Sequence, residues 1–487
     1  MTSAPTEEAK SQERPIVQSG LVLNGVTVVD TRTGKLTPSV DLIVDAGKIL
    51  RIVPAGSVSV LGTGRLVEAN GKFVVPGFLD MHVHNLQEEH PQDSLALMLS
   101  LGITGVRQMV GSPELLRARK EGRLDLGPDA PEVLAVPGQI LTRSNAATPE
   151  AAVLEVKKQK AEGADFIKTI DLTPQAFFAA LEEAKRQGLP YAGHLSMGVD
   201  PAKASKRGMR AIEHLGPATM TLIYCSKREW LVRIILAVKP PKPLDMPPEK
   251  MATDGKLAIM NPILLLLERE PNILTRVQLL LDSFSEEKTR KLAEVFATNE
   301  TWHVPTLIRS ATMQLGDDPL FTNDPNLRFV PKSILSDWTM LGRRFAQKVS
   351  AKGKKTLRQL TDIDLRLTKI FDDAGVKMLA GSDYSGVWQV SGYCLHQEFD
   401  LLAQAGLSPL KVLQMTTLNG AEFLGRQATL GTVEEGKDAN LVLLEGNPIE
   451  SVGNLHRIAS VVREGEYYSQ DRLEAIRNRV TAHAPYC

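Results

Sequence analysis

Six residues far apart in the chain share one chemistry. His82 and His84 end the apolar run 73–84, and His194 ends the run 190–194. His214 closes 211–214, Lys168 sits within 165–170, and Asp383 closes 377–383. In an extended strand the side chains alternate between faces, so His82 and His84 point the same way. Two imidazoles side by side at a strand end make half of a divalent-metal site. Each residue alone has an ordinary structural reading: a snorkelling lysine, a hydrogen-bonded core histidine, an aspartate capping a helix. Gathered at one mouth, four imidazoles, a carboxylate and a lysine suit a two-metal hydrolytic site.

The runs carrying these residues read as strands of a repeating strand–helix pattern. After Pro76-Gly77, strands are expected at 78–84, 105–110, 132–136, 165–170, 190–194, 211–214, 303–308 and 377–383, with helices at 93–101, 147–162, 174–187 and 201–207. Eight such units in sequence predict an α/β fold, a (β/α)8 TIM-like barrel, whose active site lies at the C-terminal strand ends. The β-type runs 21–29, 40–44 and 48–53 precede it, and 439–444 and 458–463 follow it. They predict a small β-sandwich domain built from both chain ends.

The expected organisation is therefore a disordered tail at 1–18, the N-terminal half of the sandwich at 19–76, and the barrel at 77–427. The C-terminal half of the sandwich follows at 428–469, and a C-terminal tail at 470–487. Within the barrel, about 221–300 is a helical insertion with a proline-rich patch at 239–248, too long for an ordinary connection. It reads equally as decoration or as a lid or oligomer contact over the active face.

Composition bounds the function without naming it. The chain has 487 residues, 43% of them hydrophobic and 23% charged, ordinary for a globular enzyme. Lys plus Arg and Asp plus Glu are both 57, so no charge excess points to nucleic acid or an anionic membrane. No apolar run is long enough to span a bilayer, and the N-terminus lacks the basic and apolar regions of a signal peptide. As written the chain reads as cytoplasmic; removal of a leader would make it secreted or periplasmic. Three cysteines without a CxxC exclude a disulfide framework and a cysteine zinc site.

The motifs PGFLDMHVH (76–84), GITGVRQM (102–109), DFIKTI (165–170), GH (193–194), IEHL (212–215), VPTL (304–307) and GSD (381–383) resemble the amidohydrolase superfamily of metal-dependent hydrolases. So does the tail from AGLSPLKVLQMTTLNGAEFLG (405–425) to LGTVEEGKDANLVLLEGNP (430–448). The resemblance covers about 19–465. It is strongest to the branch of Xaa-Pro dipeptidase-like and ochratoxinase-like amidases and carboxypeptidases. That branch implies two divalent metals, zinc by default, with His82, His84 and Asp383 on one and His194 and His214 on the other. It also implies that Lys168 is carboxylated by CO2 and bridges both, and that Asp383 is the catalytic general base. A homo-oligomer acting on a small-molecule amide or peptide is implied as well.

Three further residues are substrate-binding candidates: Arg107 as a clamp for a carboxylate or, equally, half of a structural ion pair, Tyr224 as an oxyanion donor, and His303 as a structural or pocket-lining residue. Two departures stand out. Gln108 replaces an aspartate common in relatives, close to the expected pocket, and Asn440 replaces one in the β-domain. Competing readings are a deaminase or cyclic-amide hydrolase such as an imidazolonepropionase-like protein, and a lactonase or phosphotriesterase. Lys168 argues against the first, whose relatives usually lack it. A non-catalytic scaffold would have lost ligands that are all present here.

Overall fold

A computed structural model describes residues 16–216, 220–238, 260–270 and 272–484. Most of the expected N-terminal tail, the proline-rich patch at 239–248 and Cys487 lie outside the described residues.

From Phe78 the chain builds parallel strands. Phe78–Val83, Ile103–Gln108 and Glu132–Ala135 form a three-stranded sheet, and Leu141–Thr142, Ile167–Asp171, Tyr191–Gly193, Ala211–Glu213 and Trp302–Val304 a five-stranded one. Backbone bonds tie the sheets together, with Asp165 N donating to Val136 O at 3.0 Å. The segment 377–384 spans the other gap: Leu379 N donates to His303 O at 2.9 Å, and Asp383 N to His82 O at 2.8 Å. No regular strand forms there, contrary to the expectation for 377–383, although the segment occupies a strand's place between its neighbours.

The helices after the strands begin where local chemistry says they should. Thr148, Thr173, Asp200 and Ser408 each cap a helix N-terminus with a side-chain oxygen and are each followed by proline. Proline at the first helical position has the right φ and no N–H to leave unpaired. Conversely, Pro305 ends the strand expected to run to 308. Thr306 turns left-handed at φ +47°, and a helix starts at Leu307.

The strand faces divide the core. Leu79, Met81, Ala192, Ala211, Trp302, Val304 and Leu379 meet between the strands. A larger cluster, including Phe177, Phe296, Phe371 and Phe399, fills the space between strands and helices. Burial of such surface, at roughly 25 cal/mol per Å2, is the main stabilising term.

Both chain ends form one β unit, whose strands join in a hydrogen-bonded sheet of eight with a separate two-stranded pair. The nine-residue strand Leu21–Val29 explains the continuity. It gives one edge to Leu36–Asp45 and divides the other between Arg65–Glu68 and Phe73–Pro76. Phe73–Pro76 then pairs antiparallel with Leu441–Leu444, joining the two ends. Asn440 serves this unit by accepting from Glu464 N at 2.8 Å.

Two expectations change further. The C-terminal tail is largely the helix Gln470–His483, because Leu473, Ile476 and Val480 share a face that packs inward. The helical insertion holds Met220–Tyr224, Glu229–Val238, Pro262–Arg269, Ile273–Asp282 and Glu286–Thr298, and a second helical stretch, including Lys332–Lys348 and Ala351–Asp373, follows before 377. Among the described residues no helix is long and apolar enough to cross a membrane.

Candidate metal centre

The strand ends bring the dispersed residues together. Asp383 Oδ1 lies 3.0 Å from His84 Nε2 and 3.2 Å from His82 Nε2, and its Oδ2 lies 3.7 Å from His214 Nδ1. The His214 ring stands 4.8 Å, centroid to centroid, from those of both His82 and His194. His82, His214 and Asp383 each offer a ligand atom within 4.8 Å of the others. Lys168, almost fully buried, lies within electrostatic reach of Glu213, Asp383 and Arg107.

Close backbone approach permits this convergence. Gly193 adopts φ +134°, and a Cβ there would stand 2.2 Å from Thr169 O, so only glycine lets the strand carrying His194 lie against that of Lys168. A Cβ on Gly381 would stand 2.9 Å from His82 Cβ. The Asp80 and Ser382 of the two flanking motifs are structural partners. Asp80 Oδ1 accepts from Ser382 N at 3.0 Å and Oδ2 from Ser382 Oγ at 2.6 Å, pinning Asp383 beside His82. Burial pushes the Asp80 carboxyl up to about 6.

The electrostatics favour neutral rings at His84, His194 and His214 and an ionised aspartate. Burial lowers His84 and His194, and takes His214 to about 3. For Asp383 burial opposes ionisation, but the neighbouring His82 and His214 outweigh it and hold the carboxyl well below its ordinary value. Burial brings the Lys168 ammonium down to about 8; Glu213 and Asp383 pull the other way.

The donor set suits a cation. His82 Nε2, His84 Nδ1 and Lys168 Nζ are buried atoms without a hydrogen-bond partner. Unpaired buried polar atoms are costly and are normally satisfied by water, an ion or another group. Imidazole nitrogens and a carboxylate oxygen facing one another are what zinc-type cations bind.

The three substrate-binding candidates have the following surroundings. Arg107 is entirely buried, with Nη2 2.8 Å from Glu213 Oε1 and Nε donating to Met81 O at 2.6 Å, while its Nη1 has no hydrogen-bond partner, so two of its three nitrogens are engaged by the protein. His303 faces the helices: its neighbours Trp302 and Val304 point between the strands, while its ring stands 4.5 Å from Phe296 and 4.7 Å from Phe371. It does not line the pocket. Tyr224 lies beside Lys288, whose Nζ is 5.7 Å from the ring centroid, and Asp200 and Glu229 are the carboxylates acting on it. Gln108 is buried and bonds to Val110 O at 3.2 Å, a strand-end tie.

Three residues that sequence reasoning misses border the cluster. Glu213 Oε2 lies 2.8 Å from His82 Nδ1. Thr306 Oγ1 lies 2.6 Å from His214 Nδ1. Arg309 Nε lies 3.3 Å from Asp383 Oδ2, and its Nη1 donates to Met260 O at 3.0 Å. Glu213 has a signal, a carboxylate inside the apolar run preceding His214. Thr306 and Arg309 follow VPTL and carry none.

Residues 365–467 match the profile of the amidohydrolase family. The curated relatives align only locally. An adenine deaminase from Paracoccus denitrificans is 34% identical over 64 residues, 13% of this chain and 11% of the relative. A dihydroorotase from Pelotomaculum thermopropionicum is 45% identical over 64 residues, 13% and 14% of the two chains. The chain thus aligns with about a tenth to a seventh of these relatives' lengths. Similarity to solved structures runs nearly end to end. A bottromycin amidohydrolase superposes with TM-score 0.68 at 20% identity, covering 95% of this chain and 90% of the other. A Xaa-Pro dipeptidase with bound methionine gives 0.61 at 17%, covering 93% and 100%. The Aspergillus niger ochratoxinase gives 0.60 at 15%, covering 93% and 96%. The match to the amidohydrolase profile is thus confined to the C-terminal fifth of the chain, and the end-to-end likeness to these solved structures is one of fold.

Proposed function

We propose that this chain is a metal-dependent amidohydrolase that cleaves an amide or peptide bond in a small molecule such as a dipeptide, an N-acyl amino acid or an ochratoxin-like amide. In this reading the two parallel sheets and the segment 377–384 close into a (β/α)8 barrel with the site at its mouth. The observation that carries the reading is Lys168: a buried amine without a hydrogen-bond partner, within the strand Ile167–Asp171 and in the electrostatic neighbourhood of His84, His194, His214 and Asp383. A carbamate formed from its free amine and CO2, with loss of a proton, would replace a cation by a two-oxygen anionic ligand. His82, His84 and Asp383 would hold one divalent ion, His194 and His214 the other, zinc being the natural choice for this donor set.

Such ions, when bound, supply hydroxide near neutral pH and polarise a carbonyl. The chain's own residues do the rest. Asp383, held ionised, accepts the proton of the attacking water and delivers it to the leaving nitrogen. Arg309, against Asp383 Oδ2, keeps that oxygen oriented.

The test is product release by the zinc-loaded protein from N-acyl amino acids, dipeptides, lactones and aminated heterocycles. Free amino acid is the expected product. Ammonia from the heterocycles would move the assignment to the deaminases, and lactone opening alone to the esterase branch.

A further inference from the structure

Consecutive residues in a strand point to opposite faces, yet Glu213 and His214 both reach His82. Glu213 Oε2 lies 2.8 Å from His82 Nδ1, and the His214 ring stands 4.8 Å from the His82 ring. The backbone explains how: His214 and Leu215 adopt φ of +56° and +54°, turning the strand end sharply. Non-glycine residues rarely occupy this region, and two in succession mark a place where side-chain placement has overridden backbone preference.

From this geometry we infer that Glu213, backed by Arg107, is a positioning residue that fixes the His82 ring in the Nδ1–H tautomer and so presents Nε2 as its metal-binding atom. A carboxylate beside Arg107 accepts, so the proton shared with His82 resides on Nδ1 and leaves Nε2 as the nitrogen free to bind a cation. That Nε2 faces the other ligands, 3.2 Å from Asp383 Oδ1. Arg107 completes the device: its Nη2 holds Glu213 Oε1 at 2.8 Å, and its Nε holds the carbonyl of Met81, the residue before His82, at 2.6 Å. One guanidinium thereby fixes the carboxylate and the strand that carries the imidazole. A fully buried ion pair is a poor way to gain stability, since apolar residues of similar size often do as well. Fixing a ligand's tautomer is a task that apolar residues cannot perform.

The inference rests on the metal-site reading, and the test separates the two. Nitrogen-15 spectra of histidine-labelled, metal-free protein report the tautomer of His82, assigned by its loss in His82→Asn. A protonated Nδ1 is expected, whether or not metal binds; an Nδ1 without its proton overturns the proposal. Absence of zinc binding by the wild type would sink the metal-site reading alone. Zinc affinity is then measured by chelator competition in two double variants that both remove the charge pair. Arg107→Met/Glu213→Leu should bind zinc 10- to 100-fold more weakly. Arg107→Met/Glu213→Gln, whose amide oxygen still accepts from Nδ1, should stay within about threefold of the wild type and keep the Nδ1–H signature. Equal affinities in the two variants would overturn the proposal, and thermal melts establish that each is folded. If neither folds, the wild-type spectrum decides.

Discussion

Two regions of one layer of strands hold buried histidines to different ends. At the mouth, His82, His84, His194 and His214 lie among Asp383, Glu213 and Lys168. On the helix-facing side, His303 has both ring nitrogens without a partner, as His82 Nε2 and His84 Nδ1 are, but its neighbours are the rings of Phe296 and Phe371. Burial lowers His303 to about 3, just as it does His214. Neither an orphaned nitrogen nor a depressed pKa therefore distinguishes a ligand from a core residue. What distinguishes them is the company of other donors aimed at the same volume.

The largest effect should come from the mouth. Asp383→Asn should leave metal bound while lowering kcat by roughly 10^2- to 10^4-fold, the range typical of lost proton transfer. Turnover near that of the wild type would remove Asp383 from its assigned role. Lys168→Ala should reduce the metal content from two ions per chain to one or none by elemental analysis; an unchanged count would dissolve the bridging assignment. His303→Phe tests the other side of the comparison. It should leave zinc content and kcat as they are and shift stability at neutral pH by less than about 1.5 kcal/mol. Because His303 titrates lower when folded (about 3) than the ordinary 6.5, its stability contribution is present above pH 6.5 and lost as pH falls towards 3. The variant should accordingly resist acid better than the wild type, and a zinc loss would make His303 part of the site.

The smallest effect concerns Asp364, a partly buried acid in the helical layer that accepts from Gln314 at 2.8 Å. Burial raises it to about 7 from 3.8, so the folded state holds its proton longer than the unfolded chain. The resulting stability is full below pH 3.8 and is lost as pH rises through 7. Asp364→Asn should flatten the dependence of Tm on pH between 5 and 8; an unchanged slope would show that the carboxyl titrates normally.

Much of the architecture is legible because local physics sets it. The strand Leu21–Val29 and the helix Pro174–Arg186 lie where alternation, capping threonine and proline place them. The segments 303–308 and 377–383 depart from expectation because apolar runs look like strands whether or not their hydrogen bonds are regular. Residues 470–487 read as a tail although Leu473, Ile476 and Val480 carry a helical period. Arg107 and His303 point to the substrate by residue type alone, and type does not say which side of a strand a residue faces.

The sequence by itself determined the six metal-site candidates, since each is a chemically distinctive residue inside or at the end of a short apolar run whose parity and punctuation are local properties. Only the tertiary structure decided which charges surround them. Glu213 reaches His82 from the last position of its strand, with His214 in a left-handed turn just after it, Arg107 spans from a different strand, Thr306 reaches His214, and Arg309 comes from a helix after the last regular parallel strand. Those contacts depend on backbone direction and strand neighbours far apart in the chain, and no periodicity along the sequence encodes them.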